Sequence, residues 1–259
     1  MNEIEHRYNE NVHIIDSPLL FDLVGRFSRP DTIQPEANRI IRYAYNELLR
    51  YIVDVEFPKT RIDYPTRMKK YTPKGVIRGL GIKKDTKTVI VSILRAGSIP
   101  SQLFFDLLCW FINPEYIRQD FISSARIVNR KGKVIGATIN TVKVGGDLSD
   151  AFVLIPDPMG ATASTLLKVI DEYMKNTRKP PKKIITAHMI ITPEFIRNLH
   201  KKYPEVIIYS LRLDRGLSPD EVLKTIPGTF KDRERGLNDN QYIVPGAGGV
   251  GEIINNSFV

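Results

Sequence analysis

Residues Ala151 to Thr165, AFVLIPDPMGATAST, carry the reading of the fold. An apolar run, Phe152-Val153-Leu154-Ile155, meets Pro156-Asp157-Pro158 and passes through Gly160-Ala161-Thr162-Ala163. Ser164 then opens a helical pattern with Leu166, Leu167, Val169, Ile170, Tyr173 and Met174 on one face. This is a buried strand, a turn and a helix. The first N–H groups of such a helix have no intrahelical partner, and small and hydroxyl residues around them let an anion come close. The carboxylate of Asp157 sits beside them and suits sugar hydroxyls rather than phosphate. Alone, the stretch also reads as an ordinary connection in which Asp157 is a turn residue and Ser164 a cap.

Strand and helix signals alternate on both sides of it. Val89 to Leu94 reads as a strand, Pro100 to Phe111 as a helix and Phe121 to Val128 as a strand. After the central unit come Lys183 to Ile190, Glu194 to His200 and Val206 to Leu211, again strand, helix, strand. The alternation predicts a mainly parallel sheet flanked by helices on both faces, with ligands outside the carboxyl ends of the strands. Before it, Ser17-Pro18 can start a helix, and Ala37, Ile40, Ile41, Ala44, Leu48, Leu49 and Ile52 form one apolar face between Glu36 and Val53. Phe57 to Lys74 is Pro-rich and basic, an extended or hairpin segment in which Arg67 reads as surface charge. Val128 to Asp150 reads as a hairpin followed by a loop.

Composition narrows the function classes. The chain has 259 residues, 42% of them apolar, enough for one substantial core without staples. Its one cysteine, Cys109, permits no intramolecular disulfide and no cysteine-rich metal site, which suits a reducing cytoplasm. Apolar runs fall well short of the roughly 20 residues of a membrane helix, and Met1 to Glu10 is polar, unlike a signal peptide. The expectation is a cytoplasmic protein with no membrane partner. A net charge of +9 favours anionic ligands. The basic clusters at Arg67 to Lys74, Arg126 to Lys133 and Lys179 to Lys183 lack interleaved aromatics, so they read as solvated surface rather than a nucleic-acid face. The four histidines, His6, His13, His188 and His200, lack metal-site spacing and read as core or surface residues.

Two further segments change the weight of the first. Ile93-Leu94-Arg95-Ala96-Gly97 ends a strand with a guanidinium beside a turn small enough for backbone to approach a ligand, and paired donors of that kind grip pyrophosphate. Tyr242-Ile243-Val244-Pro245-Gly246 leads into a glycine-rich stretch ending at Gly251-Glu252. An ILRAG turn, a DPM-x-AT loop and a YIVPG segment in this order resemble the uracil phosphoribosyltransferases, and the resemblance runs from about Pro18 to Phe258.

The resemblance implies a type I phosphoribosyltransferase core: a single domain over residues 1–259, with 1–56 as helical support and 57–217 as the core. Within it, an arm near 128–150 would fold over the site, 218–235 would be an inserted helix and loop near the mouth, and 236–259 a base-binding hood. It implies that Arg95, Ala96 and Gly97 hold the pyrophosphate of phosphoribosyl pyrophosphate. Asp157, Met159, Gly160, Ala161, Thr162, Ala163, Ser164 and Thr165 would hold its ribose and 5′-phosphate. Uracil would be read by Tyr242, Ile243, Val244, Pro245, Gly246, Gly248 and Gly251. Arg95 and Asp157 are the implied catalytic residues, and magnesium, Mg2+, arrives on the substrate with no metal site of the protein's own. On the arm, Arg126 and Lys143 stay open as phosphate ligands or as solvated surface. Homodimers or higher homo-oligomers are implied, with GTP as a candidate effector.

Family members usually have two glycines where this chain has Ala163 and Ser164, an aspartate where it has Gly249, and a second aspartate where it has Glu252. Ala163 can present its N–H to phosphate if the backbone there avoids positive φ. The activity implied is transfer of phosphoribose to uracil, giving uridine monophosphate and pyrophosphate. Missing acidity at Gly249 motivates an alternative, a catalytically impaired nucleotide sensor or RNA-binding regulator on the same fold. A purine transferase ranks below both, because such enzymes generally lack YIVPG.

Overall fold

A computed structural model describes residues 2–128 and 134–257. The expected arm tip, Asn129-Arg130-Lys131-Gly132-Lys133, and the side chain of Arg126 lie outside the described residues. Strands β1 (Asn2–Glu3) and β2 (Val12–Asp16) lead to helices α1 (Pro18–Phe27) and α2 (Glu36–Glu56), then to the hairpin β3 (Lys59–Pro65) and β4 (Val76–Ile82). The alternating part follows: β5 (Thr88–Leu94), α3 (Ser98–Leu108), β6 (Ile117–Val128), β7 (Val134–Lys143), β8 (Phe152–Pro156), β9 (Met159–Gly160) and α4 (Ser164–Asn176). The chain closes with β10 (Lys183–Ile191), α5 (Pro193–Lys202), β11 (Ile207–Leu213), α6 (Asp220–Leu223) and α7 (Val250–Asn255).

The main sheet has the order β1-β2-β11-β10-β8-β5-β6-β7, with β9 beside β10, and all its pairings are parallel except β1 with β2 and β6 with β7. The expected fold class, a mainly parallel sheet flanked by helices, is the one observed. Period-two patterning divides the side chains of β8: Phe152 and Leu154 join the core under α1, α2 and α3, whereas Val153 and Ile155 join the core under α4 and α5. Both faces are covered, so the central strands read as continuous apolar runs.

Strand order decides where a ligand can enter. From β5 the chain moves outward through β6 and β7, returns to β8 on the other side of β5, and then proceeds away through β10 and β11. The connections leaving the carboxyl ends of β5 and β8 diverge there, opening a crevice at the switch point. Arg95 follows β5 and Asp157 follows β8.

Some boundaries differ from expectation. Helix α3 spans Ser98–Leu108 rather than 100–111, since Ser98 and Ile99 complete the turn that starts at Gly97. Strand β6 begins at Ile117, four residues before the expected Phe121, because residues 117–120 pair with Thr88–Val91. The hairpin after α2 reaches Ile82.

The segment 218–235 contains the short helix α6 but contributes no residue to the crevice. It is held elsewhere. Arg7 donates its N–H to the Pro227 carbonyl at 2.7 Å, the Tyr8 hydroxyl donates to Glu234, and Arg197 reaches the carbonyls of Lys231 and Glu234. Glu234 is fully buried and also takes Arg215 at 3.0 Å and the Gly228 N–H at 2.7 Å. These bonds tie the segment to the N-terminal residues and α5.

Candidate active site

A cavity of about 520 Å³ opens at the switch point. Its floor comes from the β8 end. The Asp157 N–H donates to the Ala187 carbonyl at 3.0 Å, and the buried His188 donates from Nδ1 to the Asp157 carbonyl at 2.6 Å, so β10 grips the residue from both sides. Because Nδ1 is the donor, Nε2 carries the lone pair. Burial holds the His188 imidazole down to about 4, and the ring is neutral at pH 7. The half-buried Asp157 carboxylate faces the cavity.

One wall is the Ala161 to Thr165 loop and the start of α4. Its backbone is braced from behind: Thr192 Oγ1 donates to the Ala161 carbonyl at 2.7 Å and Asn198 to the Thr162 carbonyl at 3.0 Å. The Thr162 and Ser164 hydroxyls bond each other, and the Ser164 N–H donates to Thr162 Oγ1 at 3.3 Å. Ala163 adopts φ 63°, ψ 0°, so the condition of a backbone that avoids positive φ is not met there. The chain has to reverse direction between a loop held by α5 and the first turn of α4, and the left-handed conformation, which favours glycine, makes that turn. Every residue from Ala161 to Leu166 lines the cavity, so the first turn of α4 borders it.

Opposite lies the Leu94 to Gly97 turn. Arg95 and Ala96 line the cavity, whereas Gly97 is buried behind them: a Cβ there would stand 2.7 Å from the Ile93 carbonyl oxygen and 3.0 Å from that of Pro156. Gly97 thus lets β5 and β8 approach rather than touching a ligand. Arg95 is exposed, and its Nη1 donates to the Ser257 carbonyl at 3.1 Å.

The third wall is the segment after Gln241. Tyr242, Ile243, Gly248 and Gly251 line the cavity together with Gly249, Val250 and Glu252. Val244, Pro245 and Gly246 do not. The Val244 N–H donates to the Gly236 carbonyl at 2.8 Å and its carbonyl accepts from Gly216 at 3.1 Å. The Gly246 N–H donates to Asp214 at 2.7 Å, and its carbonyl accepts from Arg212 at 3.1 Å. These three residues brace the wall, and Gly160 likewise packs behind the loop against Ile191 and Phe195. Lys143, on the exposed side of β7, lies outside the lining.

Sequence reasoning assigned no site role to His188, Phe195, Gln241 or Ser124, all of which line the cavity. The one available signal was His188 as an ionisable residue in the middle of β10, between the apolar pairs Ile184-Ile185 and Ile190-Ile191. Among the described residues no three His, Cys, Asp or Glu side chains gather as a metal site. A magnesium ion fits this donor set as a passenger: substrate phosphate and water would supply most of its oxygens, with the Asp157 carboxylate as the protein's own hard-oxygen group beside them.

The sequence model of the uracil phosphoribosyltransferase family matches residues 31–234. The chain belongs to that family. The match ends before the third wall, but relatives extend through it: a uracil phosphoribosyltransferase of Thermococcus sibiricus is 27% identical over 96% of this chain and 90% of its own. One from Methanococcus vannielii is 31% identical, over 83% of this chain and 74% of its own. Among solved structures, the AQ2163 protein of Aquifex aeolicus superposes with a TM-score of 0.71 at 22% identity, covering 94% of this chain and 97% of that one. That similarity concerns the fold. In this family member the three walls come from loops after β5, β8 and β11, which is why their motifs lie so far apart in sequence.

Proposed function

We propose that this family member transfers the phosphoribosyl group of phosphoribosyl pyrophosphate to uracil, releasing pyrophosphate and uridine monophosphate. The observation that carries the reading is the convergence of the Arg95 turn, Asp157, the 161–165 loop and the 242–252 wall on one cavity. Each supplies a different piece of recognition. The first turn of α4 would anchor the 5′-phosphate through its backbone N–H groups. Asp157 would accept hydrogen bonds from the ribose hydroxyls, and Arg95 with the Ala96 N–H would hold pyrophosphate. Binding energy gathered at phosphate and ribose, away from the reacting atoms, then fixes C1′ against the base.

In the reaction uracil N1 gives up its proton to solvent or to the departing pyrophosphate and forms a bond to C1′ as the C1′–O bond to pyrophosphate breaks. The sugar gains oxocarbenium character, which the negative charge of Asp157 favours, and Arg95 stabilises the departing anion. Magnesium bound to the pyrophosphate would add further charge neutralisation there. The same reading includes a homodimer or higher homo-oligomer, a cytoplasmic setting and GTP as an effector; sedimentation, fractionation and activity with added GTP measure these in turn.

The test is pyrophosphate release by purified protein with magnesium, phosphoribosyl pyrophosphate and each base. Release with uracil, accompanied by uridine monophosphate, and none with cytosine, hypoxanthine or adenine is the expected result. No release with uracil from folded protein that binds the phosphoribosyl donor refutes it and favours the sensor.

A further inference from the structure

Gly249 has φ −81° and ψ 81°, a conformation open to residues with side chains, so backbone freedom does not explain the glycine. Space does. A Cβ on residue 249 would stand 2.1 Å from Glu252 Oε2 and 2.9 Å from its Cδ. The Glu252 carboxylate therefore lies over residue 249, in the volume a side chain there would take. The Glu252 N–H donates to the Gly249 carbonyl at 3.0 Å, which holds the two residues face to face. Both line the cavity wall shared with Ile243 and Gly248.

A base N–H buried against that wall needs an acceptor. Uracil presents N–H donors as well as carbonyls, and a donor buried without a partner costs binding. Of the main-chain carbonyls on lining residues, those of Tyr242 and Gly249 already accept from Asn238 and Glu252, and Glu252 brings the one carboxylate among the residues lining this wall. We propose that Glu252 is the acidic acceptor at the base end: its carboxylate fills the space left by the missing aspartate at 249 and accepts a hydrogen bond from an N–H of the bound base, directly or through one water. Gly249 and Glu252 then work as a pair, one residue making room for the other's charge.

The inference rests on the uracil reading, and its test separates the two. Wild type, Glu252→Gln, Glu252→Ala, Gly249→Ala and the double variant Gly249→Asp/Glu252→Ala are assayed with uracil varied at saturating phosphoribosyl pyrophosphate. Uridine monophosphate affinity is measured by calorimetry on the same proteins. Both Glu252 variants should lose roughly 10- to 100-fold in kcat/KM for uracil, the range for a hydrogen bond to a charged group, while KM for the phosphoribosyl donor stays within about twofold. Gly249→Ala should fall in the same direction, since its methyl displaces the carboxylate without straining the backbone. The double variant should regain at least about tenfold over Glu252→Ala, its carboxylate now reaching the wall from residue 249. Wild-type kcat/KM in both Glu252 variants overturns the proposal, as does a folded double variant that regains nothing. A wild type silent with uracil defeats the uracil reading instead; uridine monophosphate binding unaffected by Glu252→Ala would then defeat this proposal as well.

Discussion

Asp214→Asn probes how the base wall is held. Asp214 follows β11, is 2% exposed, and accepts Arg212 Nε at 2.6 Å, Arg212 Nη2 at 2.8 Å and the Gly246 N–H at 2.7 Å. All its contacts are donors. An asparagine of the same size keeps one oxygen but turns an NH2 group toward a donor, and it leaves the largely buried Arg212 without its counter-charge. Removing one partner of a buried ion pair costs about 3–5 kcal/mol; Arg212 retains Ser28 Oγ at 3.2 Å and the Gly246 carbonyl at 3.1 Å, which places this change toward the lower end, about 3 kcal/mol. A domain with roughly 5–15 kcal/mol of stability stays folded after such a loss.

The expected result is a lower urea midpoint by that amount and a raised KM for uracil, with KM for phosphoribosyl pyrophosphate little changed, because Gly246 braces only the base wall. The double variant Arg212→Met/Asp214→Leu sharpens the test. Apolar replacement of a buried pair is often neutral, so stability should largely return, whereas the Gly246 N–H stays without its acceptor and KM for uracil stays high. Unchanged midpoint and unchanged KM in Asp214→Asn would refute the bracing argument.

Ala163→Val should destabilise by about 2 kcal/mol or more and raise KM for phosphoribosyl pyrophosphate, since a β-branched side chain at φ 63° is strained further than alanine; Ala163→Gly should be near neutral, relief of about 1 kcal/mol being offset by glycine's added unfolded-state entropy. Urea melts and donor-varied kinetics check both. His188, held at about 4 when folded against 6.5 when unfolded, binds more protons unfolded between those values, so its contribution is fully present above pH 6.5 and is lost as pH falls toward 4, about 3 kcal/mol in all. Comparing urea midpoints at pH 7 and pH 4.5 in wild type and His188→Asn measures it; an equal acid loss in the variant refutes the assignment. Gly97→Ala should cost about 1–3 kcal/mol in the same melts, because its methyl meets the backbone carbonyls of Ile93 and Pro156 rather than a side chain that can swing away; an unchanged midpoint counts against that.

How much of this was legible in the sequence depends on how local the cause is. The strand-turn-helix at Ala151 to Thr165 and the apolar face of α2 are set by residues within a few positions of each other, and both are found where the pattern puts them. Strand order, and with it the crevice between β5 and β8, is fixed by contacts between segments that no local pattern describes. The conformation of Ala163 belongs to the same class: Thr192 and Asn198, 29 and 35 residues further along the chain, hold the carbonyls on its N-terminal side. Composition could not have shown which way it turns.

The third wall makes the point most sharply. YIVPG suggested that a rigid backbone reads a planar base, and the rigidity is there, but the groups of Val244 and Gly246 that rigidity orients are bonded to Gly236, Gly216, Asp214 and Arg212. A main-chain group that braces a wall is no longer free to read a ligand with that same bond, so the recognition load moves to the lining residues on either side. On one side stand Tyr242 and Ile243, on the other Gly248 through Glu252. Substitutions within Val244 to Gly246 should therefore act first on the position of the wall and only through it on the base. The substitution of Gly249 for an acid, read from sequence as a loss, is in the fold the condition for Glu252 to lie where it does.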